Sequence, residues 1–275
     1  MSGVRRSRTA QGVAGQRALL TEMGVLEDPY ARAMLGPSMS ATYAVVRRWP
    51  RVVPTLPVTL AGFGARVRWH DERVRAALDA GVRQVAVVGA GYDSRAWRLR
   101  RDGVRFFELD DGATQRDKVR RAPGPGPTYV EADLRDRTAA EALVAAGLDP
   151  AQAATFVLEG LTMYLTEEVV RRQFTALAGA SATGSRLTTD FYPPRATTAA
   201  DTKRLRVQRL ARAGSGETLR LGVTRDQAGT LVEACGWRVD EAMSAREAAQ
   251  ALVPRASGLP VDAVSESGTF LAASR

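Results

Sequence analysis

The stretch VRQVAVVGAGYDSR, residues 82–95, joins a β-branched apolar run to a glycine turn. Residues 82–88 lack the polar alternation of a half-exposed strand and read as a strand buried on both faces. The turn Gly89, Ala90 and Gly91 that follows lets a ligand approach the backbone with no Cβ in the way. In open α/β folds, ligands bind at this carboxyl edge of the sheet. A dinucleotide fingerprint asks for Gly or Ala three positions after Gly91, where this chain has Ser94. Asp93 would repel a pyrophosphate. Both departures favour a ligand without phosphate that carries a cationic or amino-acid part, a description that S-adenosylmethionine fits.

Similar runs follow at residues 104–109, 128–130, 153–158 and 186–191, with helical stretches in most gaps. This alternation predicts a doubly wound α/β sheet. Farther on, a helix over residues 224–234, a strand at 237–240, a helix over 244–252 and an edge strand at 268–273 are expected. The second run ends in FFELDD (residues 106–111), which puts Glu108 and Asp110 about twenty residues past the turn, where a carboxylate accepts hydrogen bonds from ribose hydroxyls. The third ends in EADLRD (131–136), placing Asp133 and Leu134 where an adenine can be gripped. LEGLTMYL (158–165) brings Glu159 to the same edge, beside the methyl group of such a cofactor.

Upstream, residues 1–12 read as frayed and residues 13–23 as a helix. DPYARAML (28–35) reads as a second helix, with Asp28 as N-cap and Pro29 in the first turn. Residues 37–69 carry Tyr43, Trp49, Phe63 and Trp69 among prolines and are expected to form broken helical pieces of a lid. A short amphipathic helix over 71–80 then ends at Gly81. PGPGP (123–127) reads as a loop, and residues 195–214 as a basic amphipathic helix.

With 275 residues, 45% hydrophobic and 25% charged, the chain suffices for one domain with its own core. The net charge of +9 invites a nucleic-acid reading, but the lysines are only Lys118 and Lys203, and the arginines are scattered rather than gathered in a stripe. No nucleic-acid partner is expected. A single Cys235 and a single His70 exclude an internal disulfide and the usual structural zinc site, so no metal is expected. His70 reads as structural or partly exposed, and Cys235 as a small buried apolar residue. The apolar stretch 52–65 is short and carries Pro54 and Pro57, and the first twelve residues lack a signal core. A cytoplasmic protein with no membrane association is therefore expected, its oligomeric state left open.

TAQGVAGQRALL (9–20), DPYARAMLG (28–36), GARVRWHDERV (64–74), GVRQVAVVGAGYDSRAWRL (81–99), FFELDD, DLRD (133–136) and LEGLTMYLTEE (158–168) occur in this order. Together they resemble the leucine carboxyl methyltransferase-like branch of class I S-adenosylmethionine-dependent methyltransferases, among its bacterial O-methyltransferases. The resemblance is good from Thr9 to about Asp190 and weaker beyond. It implies a Rossmann-like, seven-stranded sheet with a reversed last strand, an N-terminal helical lid (1–69) and a substrate-side insertion after strand five (193–223). It implies that Arg17 and Arg66 pair with the methionine carboxylate, and that Gly89, Ala90 and Gly91 line the methionine portion with Asp93 beneath. Asp110 would take the ribose, Asp133 and Leu134 the adenine, and Glu159 the amino end or the boundary with substrate. Tyr43, Trp49, Tyr164 and Tyr192 are candidates to line the acceptor pocket. The expected activity is O-methylation of a small carboxylate or polyketide-like metabolite of secondary metabolism. The alternatives are a phenol or alcohol acceptor, a peptide carboxylate, a basic nucleic-acid-binding methyltransferase and a non-catalytic binding module. No catalytic residue is assigned, although Glu159, Tyr164, Asp190 or Tyr192 could assist an alcohol.

Overall fold

The computed structural model describes residues 7–49, 52–193 and 218–275. At its centre lie β1 (Gln84–Val88), β2 (Arg105–Asp110), β3 (Thr128–Glu131), β4 (Ala154–Leu158), β5 (Arg186–Phe191), β6 (Arg238–Ser244) and β7 (Thr269–Ser274). They form one seven-stranded sheet in the order β3-β2-β1-β4-β5-β7-β6. The first five strands pair in parallel, and β7 runs antiparallel to both β5 and β6. The strand order reverses between β1 and β4. A ligand crevice opens at such a switch point, outside the carboxyl ends of the strands.

The uninterrupted apolar character of β1 follows from cover on both faces. Ala86 and Val88 pack with Phe107, Phe156 and Phe174. That face carries α6 (Ala139–Ala145), α7 (Glu167–Gly179) and α8 (Arg225–Ala234). Val85 and Val87 pack the other way, with Val74, Leu78 and Ala96, which belong to α3 (Leu56–Asp79) and α4 (Arg95–Arg98). On this second face α9 (Ala245–Leu252) packs along α3. The remaining helices are α1 (Arg8–Glu22), α2 (Pro37–Arg48) and α5 (Gly112–Val119). Cys235 caps the C-terminal end of α8 and is buried, its thiol 3.7 Å from the Arg171 carbonyl oxygen.

Four elements differ from the sequence expectation. Residues 8–12, expected to be frayed, open α1, which Ser7 caps by accepting the Ala10 amide. Residues 29–34 form consecutive turns rather than a helix. Asp28 still accepts the Tyr30 amide at 3.2 Å, but its other oxygen is drawn to Arg17 and Ser94. Residues 37–69 do break, between α2 and α3, but the later piece and the expected short 71–80 helix are one continuous 24-residue helix, α3, because Pro57 sits in the first turn, where a missing amide costs nothing. The strand expected at the edge, β7, lies inside the sheet. Phe270 packs on one face while Leu271 and Ala273 pack on the other, so β7 has neighbours on both sides and β6 takes the edge.

α1 packs on α2 and α3 as a layer over the glycine turn. Ala14, Ala18, Met34 and Tyr43 of this layer cluster with Tyr92 of the turn. The basic helix expected over 195–214, most of the insertion 193–223 and residues 1–6 lie outside the described residues. Among the described residues, no helix is long and apolar enough to cross a membrane.

Candidate functional site

The turn after β1 is built for close approach. Gly89 and Gly91 have φ of 71° and 51°, the left-handed region that glycine adopts without a Cβ penalty. The amides of Gly89 and Ala90 both donate to the Leu109 carbonyl of β2, at 2.8 and 3.1 Å. A Cβ on Gly89 would come within 2.8 Å of Leu161, so the loop after β4 closes directly over the turn.

Asp110 ends β2 beside the turn. One oxygen accepts the Gly91 amide and the other the Asp111 amide, each at 2.6 Å. Burial pushes this carboxyl above its ordinary range, and the two amides hold it back. An ionised carboxylate offers about four acceptor sites, so two remain for the hydroxyls of a diol. Glu108, two residues earlier, is committed elsewhere: it is buried in an ion pair with Lys118 of α5.

Asp93 pairs with Arg95, 2.5 Å from Nη1, and accepts the Arg95 amide at 2.6 Å. Burial alone would raise Asp93, but Arg95 together with Arg17, Lys118 and Arg98 outweighs it and holds the carboxyl below its ordinary range. Glu159, just past β4, accepts from Arg66 Nε at 3.1 Å and from Arg95 Nη2 at 2.6 Å. Burial opposes its charge, yet Arg95 and Arg66 together bring its pKa to about 2.

The two arginines flank the turn. Arg17, on α1, donates to the Tyr92 carbonyl, and its buried Nε lies 2.9 Å from Asp28 without completing a hydrogen bond to any acceptor. Arg66, on α3, reaches Glu159, the Tyr192 hydroxyl at 3.3 Å and Asp190 at 3.7 Å. A Cβ on Gly160 would lie 3.3 Å from this guanidinium. Asp190 is fully buried, accepts the Gly160 amide at 2.5 Å and is pushed up by burial. Asp133 and Leu134 follow β3 at the same sheet edge. Asp133 is paired with Arg135, which holds its carboxyl low. The Leu134 carbonyl accepts from Gln173 at 2.7 Å.

The aromatic candidates separate. Tyr192 sits against Arg66, and Tyr164 lies in the short 3-10 turn Thr162–Tyr164 beyond Glu159. Tyr43 is buried in the N-terminal layer with its hydroxyl 2.6 Å from Glu22. Trp49 is 56% exposed at the end of α2, under the Arg48 guanidinium. His70 is fully buried, its Nδ1 2.9 Å from Thr188 Oγ1, and burial lowers its pKa to about 3.

Sequence reasoning passed over Arg95, Asp71 and Arg98, which the fold buries together, and treated Asp28 only as a cap. The available signal was the arginine two residues after Asp93 in DSR. The assembled set alternates carboxylates with guanidiniums around the turn of Gly89, Ala90 and Gly91. Such a set fits a ligand bearing an ammonium, a carboxylate and a ribose diol, the chemistry of S-adenosylmethionine.

A family model described as leucine carboxyl methyltransferase matches residues 10–178. A protein of Mycolicibacterium smegmatis (strain ATCC 700084), named for S-adenosyl-L-methionine-dependent methyl transfer, is 33% identical over 247 residues, covering 84% of this chain and 83% of its own. A relative of the same description from Mycobacterium avium (strain 104) is 29% identical over 255 residues, covering 83% of this chain and 80% of its own. Among solved structures, a DUF574 family protein from Streptomyces avermitilis shares the fold with a TM-score of 0.64 at 16% identity, covering 98% of each chain. The SAM-dependent methyltransferase from Archaeoglobus fulgidus shares it with a TM-score of 0.50 at 12% identity, over 75% of this chain and 93% of its own. The family match extends over more than half of the sequence and includes the glycine turn, Asp110, Asp133 and Glu159. The chain belongs to the leucine carboxyl methyltransferase family and is an S-adenosylmethionine-dependent methyltransferase.

Proposed function

We propose that this enzyme methylates an oxygen of a small organic acceptor, first of all a carboxylate, giving a methyl ester. When bound, S-adenosylmethionine supplies a methyl group on a sulfonium: the acceptor oxygen forms the new C–O bond as the C–S bond breaks, and S-adenosylhomocysteine leaves. Such a displacement depends chiefly on alignment, and a base is needed only where the acceptor is protonated. A carboxylic acid is ionised near neutral pH, whereas a phenol, with a pKa of about 10, is not.

The observation that carries this reading is the seclusion of the single histidine. His70 is fully buried against Thr188 and kept neutral, so the chain offers no imidazole to deprotonate a hydroxyl. Just past β5, the Tyr192 hydroxyl lies 3.3 Å from the Arg66 guanidinium, whose positive charge suits an anionic acceptor. In this reading Arg17, Arg66, Gly89, Ala90, Gly91, Asp93, Asp110, Asp133, Leu134 and Glu159 hold the cofactor, residues 1–69 form the lid and residues 193–223 the acceptor-side wall of a single cytoplasmic domain.

A hydroxyl acceptor is the second reading. It is favoured by Asp190, a buried carboxyl of raised pKa that interacts with the Tyr192 hydroxyl and provides a base for a phenol. Methyl-labelled S-adenosylmethionine offered with a panel of organic acids and phenols tests both. Label released as methanol by mild alkali identifies an ester. Alkali-stable label identifies an ether and overturns the carboxylate reading.

A further inference from the structure

Arg95 opens α4, the helix that follows the glycine turn, and is 1% exposed. Its guanidinium meets three carboxylates from three parts of the chain. Nε donates to Asp71 of α3 at 2.7 Å, Nη1 to Asp93 of the turn at 2.5 Å and Nη2 to Glu159 beyond β4 at 2.6 Å. The Val67 carbonyl lies 3.5 Å from Nη2. Four of the five guanidinium N–H groups are thus directed at protein acceptors.

We propose that Arg95 is a positioning residue for methyl transfer. It fixes the Asp93 and Glu159 carboxylates relative to each other, and so sets the amino end of the cofactor without touching it. The inference rests on the reading of Glu159 as a cofactor contact.

The charge arrangement explains why one arginine can do this. Asp71 is held also by Arg98 at 2.6 Å, and Glu159 also by Arg66 at 3.1 Å. Three carboxylates thus face three guanidiniums. Behind Glu159 stand the buried His70 and Asp190, and Arg17 acts on Asp93 from α1. Removing Arg95 leaves three carboxylates facing two guanidiniums. Asp93 then keeps only the backbone amide of residue 95, and Glu159 keeps Arg66 alone. Arg95 also touches both the turn after β1 and the loop after β4, so it helps to fix the width of the crevice at the switch point. A lysine restores the charge, but its compact ammonium lacks the planar fork and cannot hold three carboxylates at once.

Titration calorimetry with S-adenosylhomocysteine, from pH about 5 to about 8, tests the proposal on wild type, Arg95→Lys, Glu159→Gln, the double variant and Asp110→Ala. Wild-type affinity is expected to change little with pH. Arg95→Lys is expected to bind about ten-fold more weakly and to depend more on pH than wild type, losing affinity toward pH about 5, because Glu159 without the Nη2 hydrogen bond titrates higher than in wild type. In the Glu159→Gln background, Arg95→Lys is expected to add less than about two-fold.

Additive losses, or Arg95→Lys binding like wild type with an unchanged pH profile, overturn the proposal. If Asp110→Ala weakens binding while Arg95→Lys does not, Arg95 alone is misassigned. If neither does, the cofactor reading falls and the proposal with it. Should Arg95→Lys fail to fold, Asp71→Asn removes the anchor of Arg95 and touches neither Asp93 nor Glu159. About three-fold weaker binding of that variant supports the proposal, and unchanged binding overturns it.

Discussion

The Asp110 carboxylate accepts the Gly91 amide at 2.6 Å, so the end of the second strand holds the glycine turn that follows the first. Substituting Asp110 by Ala has two separable consequences. Affinity for S-adenosylhomocysteine is expected to fall about ten-fold or more, close to 1.4 kcal/mol, by calorimetry. The Gly91 and Asp111 amides lose their acceptor, so denaturant unfolding without ligand is expected to show a loss of about 1–3 kcal/mol.

Gly89 combines a φ of 71° with a Cβ position only 2.8 Å from Leu161. Gly89→Ala therefore meets backbone strain of about 1–2 kcal/mol together with a clash. Adding Leu161→Ala relieves the clash but not the strain. Thermal melts of the two variants are expected to show partial recovery in the double, and full recovery would mean that the backbone conformation carries no cost.

Glu108 and Lys118 form an ion pair in which both side chains are at most 1% exposed. Lys118→Met leaves the buried Glu108 carboxyl protonated at pH 7 and without its partner and is expected to cost about 1–3 kcal/mol, whereas Glu108→Leu with Lys118→Met is expected to be neutral or stabilising. Burial raises the Glu108 pKa from 4.5 to about 7, with Lys118 opposing. Its folded value lies above its unfolded one, so the stability it contributes is complete below pH 4.5 and is lost as pH rises through about 7. Wild type is expected to lose stability across that window relative to the double variant, as unfolding at several pH values would reveal.

His70 has the opposite sign. Burial lowers its pKa from 6.5 to about 3, so its contribution is complete above pH 6.5 and declines as the unfolded chain takes up a proton below that value. Between pH about 6.5 and about 5 this term opposes that of Glu108, so wild-type stability is expected to change little with pH there. In His70→Gln the Glu108 term stands alone, and stability is expected to rise as pH falls through that window with a slope approaching 1.4 kcal/mol per pH unit. An unchanged slope would show that His70 titrates normally.

How much of this was legible in the sequence depends on how local the cause is. The strand of residues 84–88 was visible because cover on both faces leaves an unbroken apolar run, and the glycine turn because two left-handed positions demand glycine. The inward place of β7 was not visible, since strand order is set by which faces meet in space. The 28–35 segment carried a helix-start signal, but Arg17 and Ser94, far away in sequence, compete for the Asp28 carboxylate. The prolines at 54 and 57 suggested breakage, although Pro57 occupies a place a helix tolerates. Arg95 was hidden by the abundance of arginine: only burial separates it from exposed ones such as Arg120 and Arg135.

The lone thiol of Cys235, capping α8 beneath α7, turns the molecule into its own clock. A thiol reagent reaches that sulfur only when the α7–α8 packing opens, so the labelling rate in native buffer measures the frequency of that opening. Slower labelling on adding S-adenosylhomocysteine would show that the α7–α8 face, across the sheet from the N-terminal layer, unfolds as one cooperative unit with the crevice. An unaltered rate would make it a separate unit.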